Sequence, residues 1–305
     1  MNPSPLNIIP DNPFRRRAIP EGLDSEKRPL AFTEAIQEFY TLPTVYSSLI
    51  EILNDPASTI EMVSDLIACD QASASKVLKI VNSPLYGYSG QIDTISRAVV
   101  ILGFNEIYSL ILSSGIMDFF TPLESLSRFQ PVEFWRHSIA VGIAAKNLGR
   151  LTGQPRQENY FIAGVLHDIG KLIFFQQARE TFSWALELSE IEKQPISSME
   201  SKLFSLDHGR AGALLAAQWH FPEPTIRAIQ YHEQGGSPQK GDVLVAAVHL
   251  GNILARALEL GNGGDDLIPR PNPEALELLN LKPGALTGMI PSLLKDYDEI
   301  CQTLL

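Results

Sequence analysis

The chain has 305 residues, 45% hydrophobic and 19% charged, enough to bury one large core or two adjoining ones. A formal net charge of -11 argues against non-specific nucleic-acid binding, which depends on a surplus of Lys and Arg, and leaves room only for a local basic groove. The two cysteines, Cys69 and Cys301, are too distant in sequence to form a metal-type or redox pair and read as reduced, buried thiols.

Residues 1–30 are rich in proline, carry Arg15, Arg16 and Arg17 in a row and show few periodic apolar positions, which predicts a tail rather than a domain. The basic triplet suits either an acidic partner or a solvated charge cluster. No apolar run there has signal-peptide length, and none elsewhere is long enough to span a bilayer. A soluble, cytoplasmic protein without membrane contact is expected.

From Phe32 onward the apolar spacing is helical nearly everywhere. Ser58 and Glu61 form a capping box before a face of Ile60, Val63 and Ile67. Ala74, Val77, Leu78 and Val81 repeat at helical spacing until Pro84 ends the run. DTISRAVVILGFNEIYSLILSSGI reads as two helices broken at Gly103, with Asn105 available to cap the second. Lys76, Lys79 and Arg97 make a solvated face, not the basic recognition helix of a DNA reader. In NSPLYG, Asn82, Pro84 and Gly87 have the chemistry of a helix-ending turn, while Tyr86 and Tyr88 could equally offer an aromatic recognition corner.

TPLESLSRFQP at 121–131, bracketed by Pro122 and Pro131, reads as a loose boundary. It divides an N-terminal helical lobe at 31–125 from a second lobe at 130–305 that ends in a C-terminal extension. Helices resume near Val132, GNGGDDLIPRPNP at 261–273 has the composition of a surface loop, and a last helical segment closes the chain. No segment alternates with period two, so the fold class is all-α.

All six histidines fall in the second lobe. His137 lies in FWRHSIAVGIAA, His167 and Asp168 adjoin in AGVLHDIGKL, His208 begins a helix in LDHGRAGALLAAQW, and His232 ends one in IRAIQYHEQGG. Neutral imidazoles suit Fe, Mn, Ni or Zn, and a carboxylate can bridge two ions and help polarise bound water. Ligands from separate helices can converge in a bundle core to build such a site. Without metal, the same side chains would hydrogen-bond one another and cap helices. Asp207 suits a cap for the His208 helix, and His220 a packing and turn residue. His249 suits a core position or one that orients a ligand.

His137 followed by His167-Asp168 resembles the H…HD signature of the HD superfamily of metal-dependent phosphohydrolases. LPTVYSSLIEILNDP, SKVLKIVNSPLYG and ISRAVVILGFNEI together resemble the HDOD domain, a helical output module of bacterial signalling proteins, over roughly residues 35–250. The resemblance implies an HD-domain-like bundle with an N-terminal lobe packed against it. It also implies a metal site of His137, His167, Asp168, His208 and His232 that takes one or two divalent ions. Lys171 stands where dinucleotide-binding relatives meet phosphate; a helix C-terminus would also favour it. The chain departs from the superfamily at Asn252, where a closing Asp is usual, at Tyr231, where a further His is frequent, and in lacking GYP after His232. An uncharged amide should weaken metal affinity.

Two functions are therefore expected. The first is a non-catalytic regulatory module with a partly retained metal site, which binds a signalling protein partner or a small nucleotide ligand. The second is a metal-dependent phosphohydrolase acting on a nucleotide or cyclic dinucleotide.

Overall fold

The helical spacing of the sequence is realised throughout the computed structural model, which describes residues 71–83, 90–120, 125–282 and 284–305, with Thr59, Met62, Tyr86 and Tyr88. Several expectations lie outside the described residues: the tail with Arg15, Arg16 and Arg17, the capping box of Ser58 and Glu61 with Ile60, Val63 and Ile67, and Cys69, Pro84, Gly87 and Pro122. Among the described residues there is no strand, and no helix is long and apolar enough to cross a membrane.

Helix α1 (Gln71–Val81) ends where Asn82 replaces the missing backbone partners. The Asn82 amide donates to the carbonyls of Leu78 and Ile92, both at 2.7 Å, and its oxygen accepts the Ile92 N–H at 2.8 Å. Helix α2 (Ile95–Leu102) starts under the Thr94 hydroxyl, which accepts the Arg97 N–H, and stops at Gly103, whose φ of 86° favours glycine. Helix α3 (Phe104–Phe120) follows directly and is buried along most of its length. It begins one residue before Asn105, so that residue lies inside the first turn and is not the cap; the Gly103 backbone already makes the break.

The stretch before the next helix is not loose where it is described. Leu126 and Phe129 exchange backbone hydrogen bonds, and Phe129 packs among Phe134, Phe175 and Phe182. Its apolar ring pins the connection to the core.

Helix α4 (Pro131–Leu151) is the central element, opened by proline at its first position. Then come α5 (Gln157–Leu166), α6 (Ile169–Gln177), α7 (Arg179–Glu192), α8 (Ile196–Phe204), α9 (His208–Gln218), α10 (Glu223–Tyr231), α11 (Val243–Ala257), α12 (Pro273–Leu279) and α13 (Ala285–Leu304). Helix α4 packs against α5 and α11; α13 lies along α4 and reaches α1, while α3 packs on α5. One continuous apolar cluster runs from Val77 to Leu304. Cys301 is buried in it as a free thiol, pushed up to about 12 by burial.

Two features fix α4 against its neighbours. At Gly164 of α5 an added Cβ would lie 2.6 Å from the Gly142 Cα of α4, so both positions need glycine for the backbones to cross this closely. At the other face, Lys146 of α4 bonds Glu106 of α3 at 2.7 Å and stands 4.2 Å from the centroid of the Tyr86 ring, whose hydroxyl also bonds Glu106. Tyr86 of the NSPLYG corner is thus committed to an internal contact with Glu106 of α3 and Lys146 of α4.

Candidate metal centre

The break between α5 and α6 places His167 and Asp168 side by side: His167 closes one helix and Asp168, at φ -101° and ψ 8°, precedes the other. Helix α9 is drawn onto α6 at Gly170, where a Cβ would collide with the His208 carbonyl at 2.0 Å. His208 opens α9, capped as expected by Asp207, which accepts the Arg210 N–H at 2.8 Å. His232 follows α10, and His137 projects from the first half of α4.

These elements bring all five residues together. His167, Asp168, His208 and His232 are 0% exposed and His137 1%. Two donor groups sharing Asp168 could each hold a metal ion: His137 with His167 and Asp168, and Asp168 with His208 and His232. Their donor atoms lie within 4.8 Å of one another in each group.

Hydrogen bonds fix which nitrogen faces inward. His167 Nδ1 meets the Gly164 carbonyl at 2.7 Å and His232 Nδ1 the Ile229 carbonyl at 2.8 Å. Both must donate there, which leaves each Nε2 with a lone pair. His208 Nδ1 meets Glu200 Oε2 at 2.6 Å. The inward atoms then crowd. His208 Nε2 lies 3.3 Å from His232 Nε2, and these lie 3.1 and 3.4 Å from Asp168 Oδ1. Three acceptors this close repel unless a cation stands between them. Bonds of about 2.1 Å meeting near tetrahedral or octahedral angles give donor separations of roughly 3.2 Å. The donor set fits a divalent ion.

Charge supports the same reading. Burial pushes the His167 imidazole down to about 4, despite the opposing pull of Asp168. Burial, with the His167 charge, holds His137 well below its ordinary value, so both rings are neutral and can act as ligands. Burial also opposes the charge on Asp168, but His167, Lys171 and His208 overcome it and hold the carboxyl well below its usual range. For His208 burial is outweighed by Glu200, and without an ion its value reaches about 10. A proton then occupies the crowded position that a metal would displace.

Other expected positions have different surroundings. Lys171 is fully buried, not at the surface, and donates to Asp168 Oδ2 at 2.7 Å and the Gly263 carbonyl at 3.1 Å. Its ammonium is spent within the protein. Asn252 is buried, and its oxygen accepts Arg256 Nε at 3.0 Å. Tyr231 is half-buried at the end of α10. His249 donates from Nδ1 to the His232 carbonyl at 2.7 Å and accepts the Asn272 N–H at 3.0 Å, which ties down the backbone that carries His232. His220 occupies a turn at φ 57°.

The stretch at 261–273 is not simply a surface loop. An added Cβ at Gly263 would lie 2.9 Å from His137 Cδ2 and 3.0 Å from Asp168 Oδ2, so its backbone covers the cluster. Only the absence of a side chain permits that approach. Asp265, also buried, accepts the Ile196 N–H and pairs with Arg256. A cavity of about 450 Å³, with Asn262 and Gly264 in its wall, also borders Arg128, Glu133, Glu190 and Lys193.

Sequence spacing missed Glu200, Glu233 and Arg256. Glu200 is 0% exposed and braces His208; Glu233 Oε1 lies 3.9 Å from His208 Nε2 and 3.5 Å from Arg256. The one signal for Glu233 is its place next to His232. In ISSMESKLF, Glu200 falls at helical spacing on the apolar face of Ile196, Met199, Leu203 and Phe204, and that spacing is the signal that could have found it.

A family model for the HDOD domain matches residues 39–235. The crystal structure of an HDOD domain protein of unknown function from Geobacter sulfurreducens is similar, with a TM-score of 0.75 and 26% identity, covering 92% of this chain and 99% of that one. A Shewanella amazonensis protein named only as a candidate phosphohydrolase shares the fold, with a TM-score of 0.72 at 22% identity, covering 93% of this chain and 100% of that one. An uncharacterised protein of Treponema pallidum is 25% identical over 271 residues, which is 87% of this chain. This chain spans about half the length of that relative, 52%.

Proposed function

This chain belongs to the HDOD domain family, and from that premise we propose that it is a regulatory module whose buried His/Asp cluster holds a metal for structure and not for hydrolysis. One observation carries the reading: the cluster is closed to solvent beneath the Gly263 backbone. Metal-assisted hydrolysis needs an open coordination position and room for a substrate beside it. A clamped ion needs neither. Residues His137, His167, Asp168, His208 and His232 supply the ligands, drawn from α4, the α5–α6 break and the ends of α9 and α10; an ion there joins four segments distant in sequence. A bound metal supplies Lewis acidity in an open site, and in a closed one cross-linking free energy.

The signal reaches or leaves this module through a partner protein or a small nucleotide. A ligand in the cavity beside Asn262 and Gly264 would act on the closed cluster only indirectly, through the loop that covers Asp168 and forms part of the cavity wall. The test is turnover of linear and cyclic nucleotides by purified protein supplied with Mn, Fe, Ni or Mg, with metal uptake measured alongside. Uptake without turnover is expected. Turnover lost in a folded His167→Ala, Asp168→Ala variant would make the chain a phosphohydrolase instead.

A further inference from the structure

The stretch at 261–273 has two faces. Its inner face lays the Gly263 backbone on His137 and Asp168, and its outer face forms one wall of the cavity of about 450 Å³. All of it lies beyond residue 235, where the match to the family model ends. Asn262 holds the outer turn in shape. Its backbone N–H donates to the Glu133 carbonyl at 2.9 Å, its amide donates to Asp266 Oδ1 at 2.9 Å, and its oxygen accepts the Gly264 N–H at 2.6 Å. Gly264, at φ 84°, is wedged against Leu186 of α7 and Phe129, where an added Cβ would lie 3.0 Å from each side chain. A molecule seated in the cavity therefore touches the same turn that presses on the cluster.

The chemistry of the wall selects what that molecule can be. The volume is in the range of small-molecule sites. Among the described residues that line it, only Leu186 and Leu267 have apolar side chains, and no aromatic ring is present. An apolar ligand finds too little to bury against, and a nucleobase has no ring to stack on. Carboxylates on Glu133, Glu190 and Asp266 outnumber the cations on Arg128 and Lys193, so a polyphosphate meets net repulsion. Arg128 is already spent on Glu190, and Glu133 stands 3.5 Å from Arg136. The Lys193 ammonium has no ion pair among the described residues. Lys193 also ends α7 in the left-handed region, at φ 53°, a conformation that costs a side chain other than glycine free energy.

Resting on the reading of this chain as a regulatory module, we propose that the cavity is a site for an amino-acid-sized zwitterion, whose carboxylate pairs with Lys193 and whose ammonium pairs with Asp266. Lys193 belongs to the end of α7 and Asp266 to the covering turn, so the ligand ties one to the other and holds the Gly263 backbone down on His137. The site lies outside the metal cluster and takes its ligand with or without an ion there.

The experiment is isothermal titration calorimetry of the full chain with each standard L-amino acid, with AMP and a cyclic dinucleotide alongside, followed by amide hydrogen exchange with the tightest binder. At least one amino acid is expected to bind with a Kd below about 1 mM. Its methyl ester and its N-acetyl derivative should each bind about tenfold more weakly, since each loses a charge-assisted bond. Lys193→Gln should remove the preference over the methyl ester. Asp266→Asn, which keeps an acceptor for Asn262, should remove the preference over the N-acetyl form. At a ligand concentration of about ten times Kd, exchange at residues 261–266 should slow about tenfold. Should a variant fail to fold, the two derivatives on the wild type decide. No amino acid bound, nucleotide bound in its place, equal affinity for the derivatives, or binding that leaves exchange at 261–266 unchanged would overturn the inference. Nucleotide turnover would instead overturn the regulatory reading beneath it.

Discussion

Glu200 holds His208 twice with one oxygen: its Oε2 accepts the imidazole Nδ1–H at 2.6 Å and the His208 backbone N–H at 2.9 Å. The first bond turns Nε2 toward Asp168, and the second anchors the start of α9. Carboxylates that orient a metal-binding histidine in this way change affinity by about 10–100-fold when removed. Glu200→Ala is therefore expected to weaken Zn(II) binding by that factor in chelator competition. It should also cost about 1–3 kcal/mol of stability in urea denaturation, because a buried N–H loses its acceptor. Unchanged affinity would mean that the ring is oriented by packing alone.

The metal-free protein should lose stability in acid partly through Glu233. Burial opposes its charge, but His208 and Arg256 hold its pKa at about 2, below the ordinary 4.5. A folded-state value below the unfolded one gives stability that is present above pH 4.5 and lost as the pH falls through about 2. The full effect is on the order of 3 kcal/mol. Glu233→Gln should make the fall in Tm between pH 5 and 2 shallower, although Asp168 still contributes to it. An equally steep fall in the variant would assign the acid limb to other groups.

Much of this architecture is legible in the sequence because helix-period apolar residues and the Gly103 break act locally. The five metal-type residues are legible too, since imidazoles in apolar helices stand out by chemical type. The covering loop is not. GNGGDDLIPRPNP has the composition of an exposed turn, and its contacts with His137 and Asp168 depend on backbone approach across more than ninety residues of sequence. Glu200 shares the apolar face of Ile196, Met199, Leu203 and Phe204, so its burial is legible, but its bond to His208 depends on where α8 sits against α9. Lys171 reads as a phosphate or helix-end lysine until Asp168 is seen 2.7 Å away.

Gly263→Ala tests the cover directly. Its methyl group would press on His137 and Asp168 at about 3 Å, so the loop must lift or the ligands must move. Overpacking of this kind costs about 1–3 kcal/mol. The expected outcome is a lower Tm with faster amide hydrogen exchange confined to residues 261–266. Unchanged exchange and stability would show that the loop does not press on the cluster.

The contact between Lys146 and Glu106 joins α4 to α3, with side-chain exposures of only 12% and 9%. Removing one member of a buried pair leaves an uncompensated charge, at a cost of about 3–5 kcal/mol; replacing both with apolar groups is far milder. Lys146→Met should destabilise by an amount near the lower bound, and Glu106→Leu combined with Lys146→Met should recover most of it in urea denaturation. A double variant as unstable as the single would place the loss in packing against Tyr86 rather than in charge.

Anomalous diffraction at the absorption edge of the bound metal, from crystals of the Zn(II)- or Mn(II)-loaded chain, tests the closed metal centre most directly. The expected result is metal density among His137, His167, Asp168, His208 and His232, with the Gly263 backbone still against His137 and no coordination position open to solvent. Metal density with the Gly263 backbone lifted and coordination positions open to solvent, or no density at the cluster, would contradict it.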